Sequence, residues 1–152
     1  MVDIWARYND PAPFVAGDKD WSTFNEEHDA RWLQDIPAVK DISYALLAAV
    51  EGSRLGAVLL TKLPPGGRIY PHVDQGWHAD YYDKYWVPVL NDPGADFCFE
   101  GVEVGGSAGD AWAFRNDVTH WVRNESSRDK ISMIICIKQD KLSKEGVCLM
   151  DG

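Results

Sequence analysis

The chain has 152 residues, 45% of them hydrophobic and 26% charged, a balance that fits one globular domain and excludes wholesale disorder. Twenty-four Asp and Glu against fifteen Lys and Arg leave a formal charge of -9. Phosphate backbones and anionic lipid are therefore repelled, and neither general nucleic-acid binding nor membrane-surface binding is expected.

No apolar run approaches the roughly 20 residues that span a bilayer, and the opening Met1-Val2-Asp3-Ile4 reads as no secretion signal. Three cysteines, Cys98, Cys136 and Cys148, lack CxxC spacing and point to a reducing, cytoplasmic setting with free thiols, Cys98 and Cys136 buried on strands.

A single domain over 1–152 is expected. Residues 1–21, with Pro11, Pro13 and Gly17, read as an irregular arm. Residues 22–52 read as helices. Thr23-Phe24-Asn25-Glu26 is a capping-box pattern opening a helix that Pro37 stops. Val39, Ile42, Leu46, Leu47 and Val50 then recur at helical spacing up to Gly52, placed as a C′ glycine.

From 55 to 139 the pattern changes to short β runs: Leu55–Leu63, Ile69–Val73, Tyr82–Leu90, Asp96–Phe99, Val102–Val104, Ala111–Phe114, Thr119–Arg123 and Ile131–Ile137. Pro64-Pro65-Gly66-Gly67, Asn91-Asp92-Pro93-Gly94, Gly105-Gly106 and Asn116-Asp117 supply turn chemistry between them. Residues 140–152 read as a tail. Eight short strands after two helices predict a mainly β fold, a small jelly-roll barrel with the helices packed on one sheet.

Among four histidines, His72 stands out because Asp74 follows it by two. On a strand such residues face the same way and can share a metal. His120, in the apolar Thr119-His120-Trp121, offers a third ligand from a later strand. Two imidazoles and a carboxylate form the facial triad of non-haem Fe(II) oxygenases. By itself the His-x-Asp pair is also what a turn-proximal or core histidine beside an acid looks like.

The stretch from Leu60 to Asp74, with its Pro64-Pro65-Gly66-Gly67 turn leading into His72-Val73-Asp74, resembles the aspartyl/asparaginyl β-hydroxylase family of 2-oxoglutarate-dependent oxygenases. Residues 109–124, Gly109-Asp110-Ala111-Trp112 through His120-Trp121-Val122-Arg123-Asn124, resemble that family's distal-histidine segment. The two matches run in the family's order. The resemblance implies a double-stranded β-helix in which His72, Asp74 and His120 hold Fe(II). It implies 2-oxoglutarate and O2 as co-substrates, and hydroxylation of a C–H bond with release of succinate and CO2.

The resemblance also places the far carboxylate of 2-oxoglutarate near Lys130-Ile131-Ser132, where the family usually carries Arg. Lys130 and Ser132 share a strand face; Arg128 has the same parity and is the rival cation. Thr61 falls where the family places a hydroxyl that touches 2-oxoglutarate, and equally suits a structural strand threonine. Lys84 and Trp86 stand where family members often carry Arg and His.

The aromatic connection from Gln75 to Trp86, including Trp77, Tyr82, Lys84 and Trp86, reads either as a wall for substrate or as an interaction surface. The implied substrate is an aspartyl, asparaginyl or related amino-acid side chain, in a small molecule, peptide or protein. Two rival readings share the barrel: a cupin-like metalloenzyme without 2-oxoglutarate, and a non-catalytic metal- or ligand-binding barrel.

Overall fold

The computed structural model describes residues 1–20 and 27–139. Its elements are β1 (Val2–Tyr8), α1 (Ala12–Val15), β2 (His28–Asp29), a 3-10 turn (Arg31–Asp35), α2 (Pro37–Ala49), β3 (Arg54–Leu63), β4 (Arg68–His72), α3 (Trp77–Tyr81), β5 (Asp83–Leu90), β6 (Ala95–Phe99), β7 (Val102–Val104), β8 (Trp112–Phe114), β9 (His120–Asn124) and β10 (Lys130–Lys138).

The strands form a six-stranded sheet, β2-β1-β3-β10-β5-β8, and a four-stranded sheet, β4-β9-β6-β7. Every pairing is antiparallel. From β3 onward the chain crosses to the other sheet at each connection except the β6–β7 hairpin. That winding is a double-stranded β-helix, the jelly-roll barrel expected from the turn pattern.

The eight strands read from sequence all occur, with ends within two residues of expectation. Alternation along them separates two cores. On β10, Met133, Ile135 and Ile137 face outward, and with Val58, Tyr85 and Val87 they pack under Leu33, Val39, Leu46 and Leu47. Residues of opposite parity face inward, where Leu63, Trp86, Phe97 and Val122 cluster with Ile69, Phe114 and Ile134 between the sheets. Reversing parity on β10 would put Met133 and Ile135 inside and Lys130 and Ser132 under the helix, so the register is strongly fixed.

α2 begins with Pro37 in its first turn, where a missing N–H costs nothing. At its C-terminus the left-handed residue is Glu51 (φ 52°) rather than Gly52. Gly52 donates its N–H to the Leu47 carbonyl at 2.9 Å, and a Cβ there would collide with Leu47 and Ile137. The glycine serves close approach to β10 instead of the turn.

Two expectations need correction. Residues 2–8 are a strand, not an irregular arm: Val2–Arg7 pair with β3, and Ala6 is fully buried. The proposed helix ending at Pro37 is replaced, from His28 onward, by β2 and the 3-10 turn; Thr23–Glu26 lies outside the described residues. Tertiary pairing overrides local propensity there. Arg7 binds Asp29 at 2.9 Å, and the Trp32 indole N–H donates to the Trp5 carbonyl at 3.1 Å. No helix of the described residues is long and apolar enough to cross a membrane. Cys98 and Cys136 are free and buried on β6 and β10, as expected; Cys148 lies outside the described residues.

Candidate metal centre and its cavity

A register shift between Ile69 and His72 sets His72 directly opposite His120 on the β4–β9 ladder. Asp74, just past β4, is tied down by its backbone N–H, which donates to the Asn116 carbonyl at 3.0 Å. The result brings ligand atoms of His72, Asp74 and His120 within 4.8 Å of one another. The two sequence motifs thus meet in space although Asp74, the last of one, and His120 of the other lie 46 positions apart.

Imidazole tautomers test whether these groups suit a metal. Nδ1 of His72 lies 2.8 Å from the Tyr70 carbonyl, and Nδ1 of His120 lies 2.9 Å from the Val118 carbonyl. A carbonyl only accepts, so each Nδ1 carries a proton, which in the neutral ring leaves Nε2 with the lone pair. Those lone pairs converge on Asp74, with Nε2 of His72 at 3.7 Å and Nε2 of His120 at 3.8 Å from its oxygens. Burial, the largest influence, lowers the His120 pKa, favouring the neutral, metal-binding form. Phe97 stacks on the His120 ring and Phe114 meets it edge-on. Two imidazoles, each with Nδ1 tied to a carbonyl, and one carboxylate, open on their other side, fit a divalent transition metal such as iron.

The triad opens into a cavity of about 230 Å³ that also holds Thr61, Lys84, Trp86, Lys130 and Ser132. Its remaining wall is largely apolar, with Leu59, Leu63, Ile69, Phe97, Val122 and Ile134. Thr61 and Ser132 are register partners across β3 and β10.

Lys130 is 2% exposed. Its ammonium donates to Asn91 Oδ1 and to the Ala95 carbonyl and stands 4.4 Å from the Trp86 ring centroid. No carboxylate of the described residues pairs with it, and burial lowers its pKa to about 8. Arg128, the rival, points to the surface and clasps Asp92 at 2.6 and 2.8 Å.

Lys84 donates to Asp74 Oδ2 at 2.7 Å, making it a neighbour of the triad rather than a free cation. Trp77 and Tyr82 are not among the residues that line this cavity. Trp77 lies on α3, partly exposed, against His78 and Tyr81. Tyr82 is buried, and its hydroxyl donates to Glu27 at 2.7 Å; it borders a separate cleft with Asp83, Arg115, Asn116 and Lys138. A wall built from the whole aromatic connection is thus corrected to its last strand alone. Asn91, Phe97 and Phe114 were not singled out from sequence. Asn91 sits in a turn motif and the phenylalanines on ordinary strand positions, with no local signal of a site.

No protein-family model matches the chain, nor does any curated protein. Among solved structures it is similar to a predicted oxalate decarboxylase from Thermotoga maritima, at 19% identity over 61% of this chain and 74% of that one, TM-score 0.45. A cupin domain from Bordetella pertussis shares 22% identity over 57% and 85%, TM-score 0.45. A cupin protein from Bacteroides fragilis shares 18% over 63% and 75%, TM-score 0.45. The strand order establishes the barrel independently of these likenesses, and no activity is carried over from them.

Proposed function

We propose that this chain is an iron(II)- and 2-oxoglutarate-dependent oxygenase of the aspartyl/asparaginyl β-hydroxylase type, acting on an amino-acid side chain in a small molecule, peptide or protein. One observation carries the reading: a buried ammonium with no ion-paired carboxylate, Lys130, shares a largely apolar cavity with the His72-Asp74-His120 cluster. Burying a cation without a directly paired counter-charge is costly; Asp96 offsets only part of the burial, and a carboxylate entering that cavity supplies the missing partner.

His72, Asp74 and His120 would hold the metal through two Nε2 atoms and a carboxylate oxygen. Lys130, Ser132 and Thr61 would hold the far carboxylate of 2-oxoglutarate. Leu59, Ile69, Val122 and Ile134 would keep bulk water from the reacting atoms. With iron, 2-oxoglutarate and O2 bound, the centre supplies the oxidant for C–H hydroxylation, with succinate and CO2 as the other products.

A metal-dependent enzyme on the same barrel, working without 2-oxoglutarate, would employ the same triad but leave Lys130 without a task. Succinate release from 2-oxoglutarate by iron-loaded protein separates the two readings. Lys130→Ala should keep metal and lose co-substrate affinity by roughly a hundred- to a thousandfold, the cost of stranding one buried partner. Lys130→Arg should retain part of it, and Arg128→Ala should change little. Absence of any 2-oxoglutarate dependence would overturn the proposal.

A further inference from the structure

In the cavity lining the indole N–H of Trp86 donates to Ser132 Oγ at 2.9 Å, while the face of the same ring lies under the Lys130 ammonium at 4.4 Å. Trp86 is 1% exposed and all three side chains line the cavity. An indole nitrogen donates and never accepts. Ser132 Oγ must therefore spend acceptor capacity on Trp86, and its own proton is left to point elsewhere. No hydrogen bond of that proton to another described residue is found, and Lys130, two positions along the same face of β10, offers only donors.

We propose that Trp86 is a positioning residue for carboxylate recognition. Its N–H turns the Ser132 hydroxyl into a dedicated donor aimed into the cavity, and its ring face holds the ammonium beside that donor. The inference rests on the reading that 2-oxoglutarate enters this cavity, and it adds why a bulky indole occupies the floor. A carboxylate then meets a hydroxyl donor and an ammonium that Asn91 Oδ1 and the Ala95 carbonyl already hold in place, with its third N–H left to donate. Such preorganisation favours the ligand by sparing it the ordering of its own binding groups. A ligand whose far end is an amide or ester loses the charge pairing with Lys130.

A double-mutant cycle tests this, with 2-oxoglutarate binding measured by calorimetry on Zn(II)-loaded protein so that turnover plays no part. Trp86→Phe keeps an aromatic face under Lys130 and removes the N–H; Ser132→Ala removes the hydroxyl. Each single change should weaken 2-oxoglutarate by about tenfold, the scale of one hydrogen bond to a charged group, with Zn(II) affinity unchanged. Because Trp86 acts through Ser132, Trp86→Phe added to Ser132→Ala should change the affinity less than about twofold. Equal losses in both backgrounds, or no loss from Trp86→Phe alone, would overturn the inference.

A second readout does not depend on a folded Trp86 variant. The Trp86 indole N–H resonance should shift when 2-oxoglutarate is added to wild-type protein and stay still in Ser132→Ala; an equal shift in both refutes the relay through Ser132. Wild-type protein that binds no 2-oxoglutarate would instead bring down the functional reading, and this inference with it.

Discussion

Lys84 and Asp74 are joined by a hydrogen bond of 2.7 Å between ammonium and Oδ2, with both side chains largely buried. One carboxylate oxygen of the triad is thereby committed to a cation, and the other, Oδ1, faces Nε2 of His72. The bond fixes the carboxylate's orientation, and it places a positive charge beside any metal that binds.

Removing Asp74 therefore does more than remove a ligand. In Asp74→Ala the Lys84 ammonium is left unpaired and facing the centre. An ammonium about 6 Å from a dication opposes it by roughly 1.4 kcal/mol even at the dielectric of water. The double variant Asp74→Ala/Lys84→Met should accordingly bind Co(II) or Zn(II) about tenfold more tightly than Asp74→Ala alone. Metal titration of the two proteins checks this, and equal affinities would mean that Lys84 does not reach the centre.

The barrel should outlast its metal. β9 is hydrogen-bonded on both sides, to β4 and β6, and the inner core is apolar, so folding does not wait for a ligand. A chelator should strip metal while far-UV circular dichroism and cooperative melting persist. His120→Ala should abolish stoichiometric uptake, because it deletes a buried donor whose tautomer is already set by Val118. Unchanged metal content in His120→Ala would remove the triad assignment.

Lys130 gives opposite pH signatures to binding and to stability. Burial holds its pKa at about 8, below the ordinary 10.5. Below pH 8 the ammonium is present to meet a carboxylate. Above it, binding must first take up a proton, so 2-oxoglutarate affinity should fall by about tenfold per pH unit. In the free protein the unfolded chain holds the extra proton between about 8 and 10.5. The Lys130 contribution to stability therefore rises with pH across that window. Calorimetry and thermal melts from pH 7 to 10, each compared with Lys130→Met, read the two trends. Parallel trends would show that Lys130 is not the titrating group.

Much of this architecture is legible in the amino-acid sequence. The eight strands of the barrel lie between Pro-Gly and Asn-Asp turns that local chemistry dictates, and strand parity singles out His72-x-Asp74, although β4 ends at His72 and Asp74 is positioned by its bond to Asn116. β1 escaped because Pro11, Pro13 and Gly17 just beyond it are strong breakers, while its own alternation, Val2, Ile4 and Ala6 against Asp3, Trp5 and Arg7, is masked by Trp5. The helix before Pro37 failed for the converse reason. From His28 onward the segment pairs with β1 instead, an interaction no local window contains. The bonds that tune the cavity are invisible for the same cause: Trp86 reaches Ser132 across 46 positions and Lys130 reaches Asn91 across 39.

The opposition of His72 and His120 across the β4–β9 ladder has a consequence for the edge of the barrel. β4 is the outermost strand of the smaller sheet, bonded to β9 alone, and such edges open most readily. A metal bridging the two imidazoles would clasp that edge shut at its Asp74 end. The opening free energy of β4 would then track metal concentration through mass action. The same ion that prepares the centre would also act as its rivet, leaving a metal-starved protein folded but unlatched along one seam.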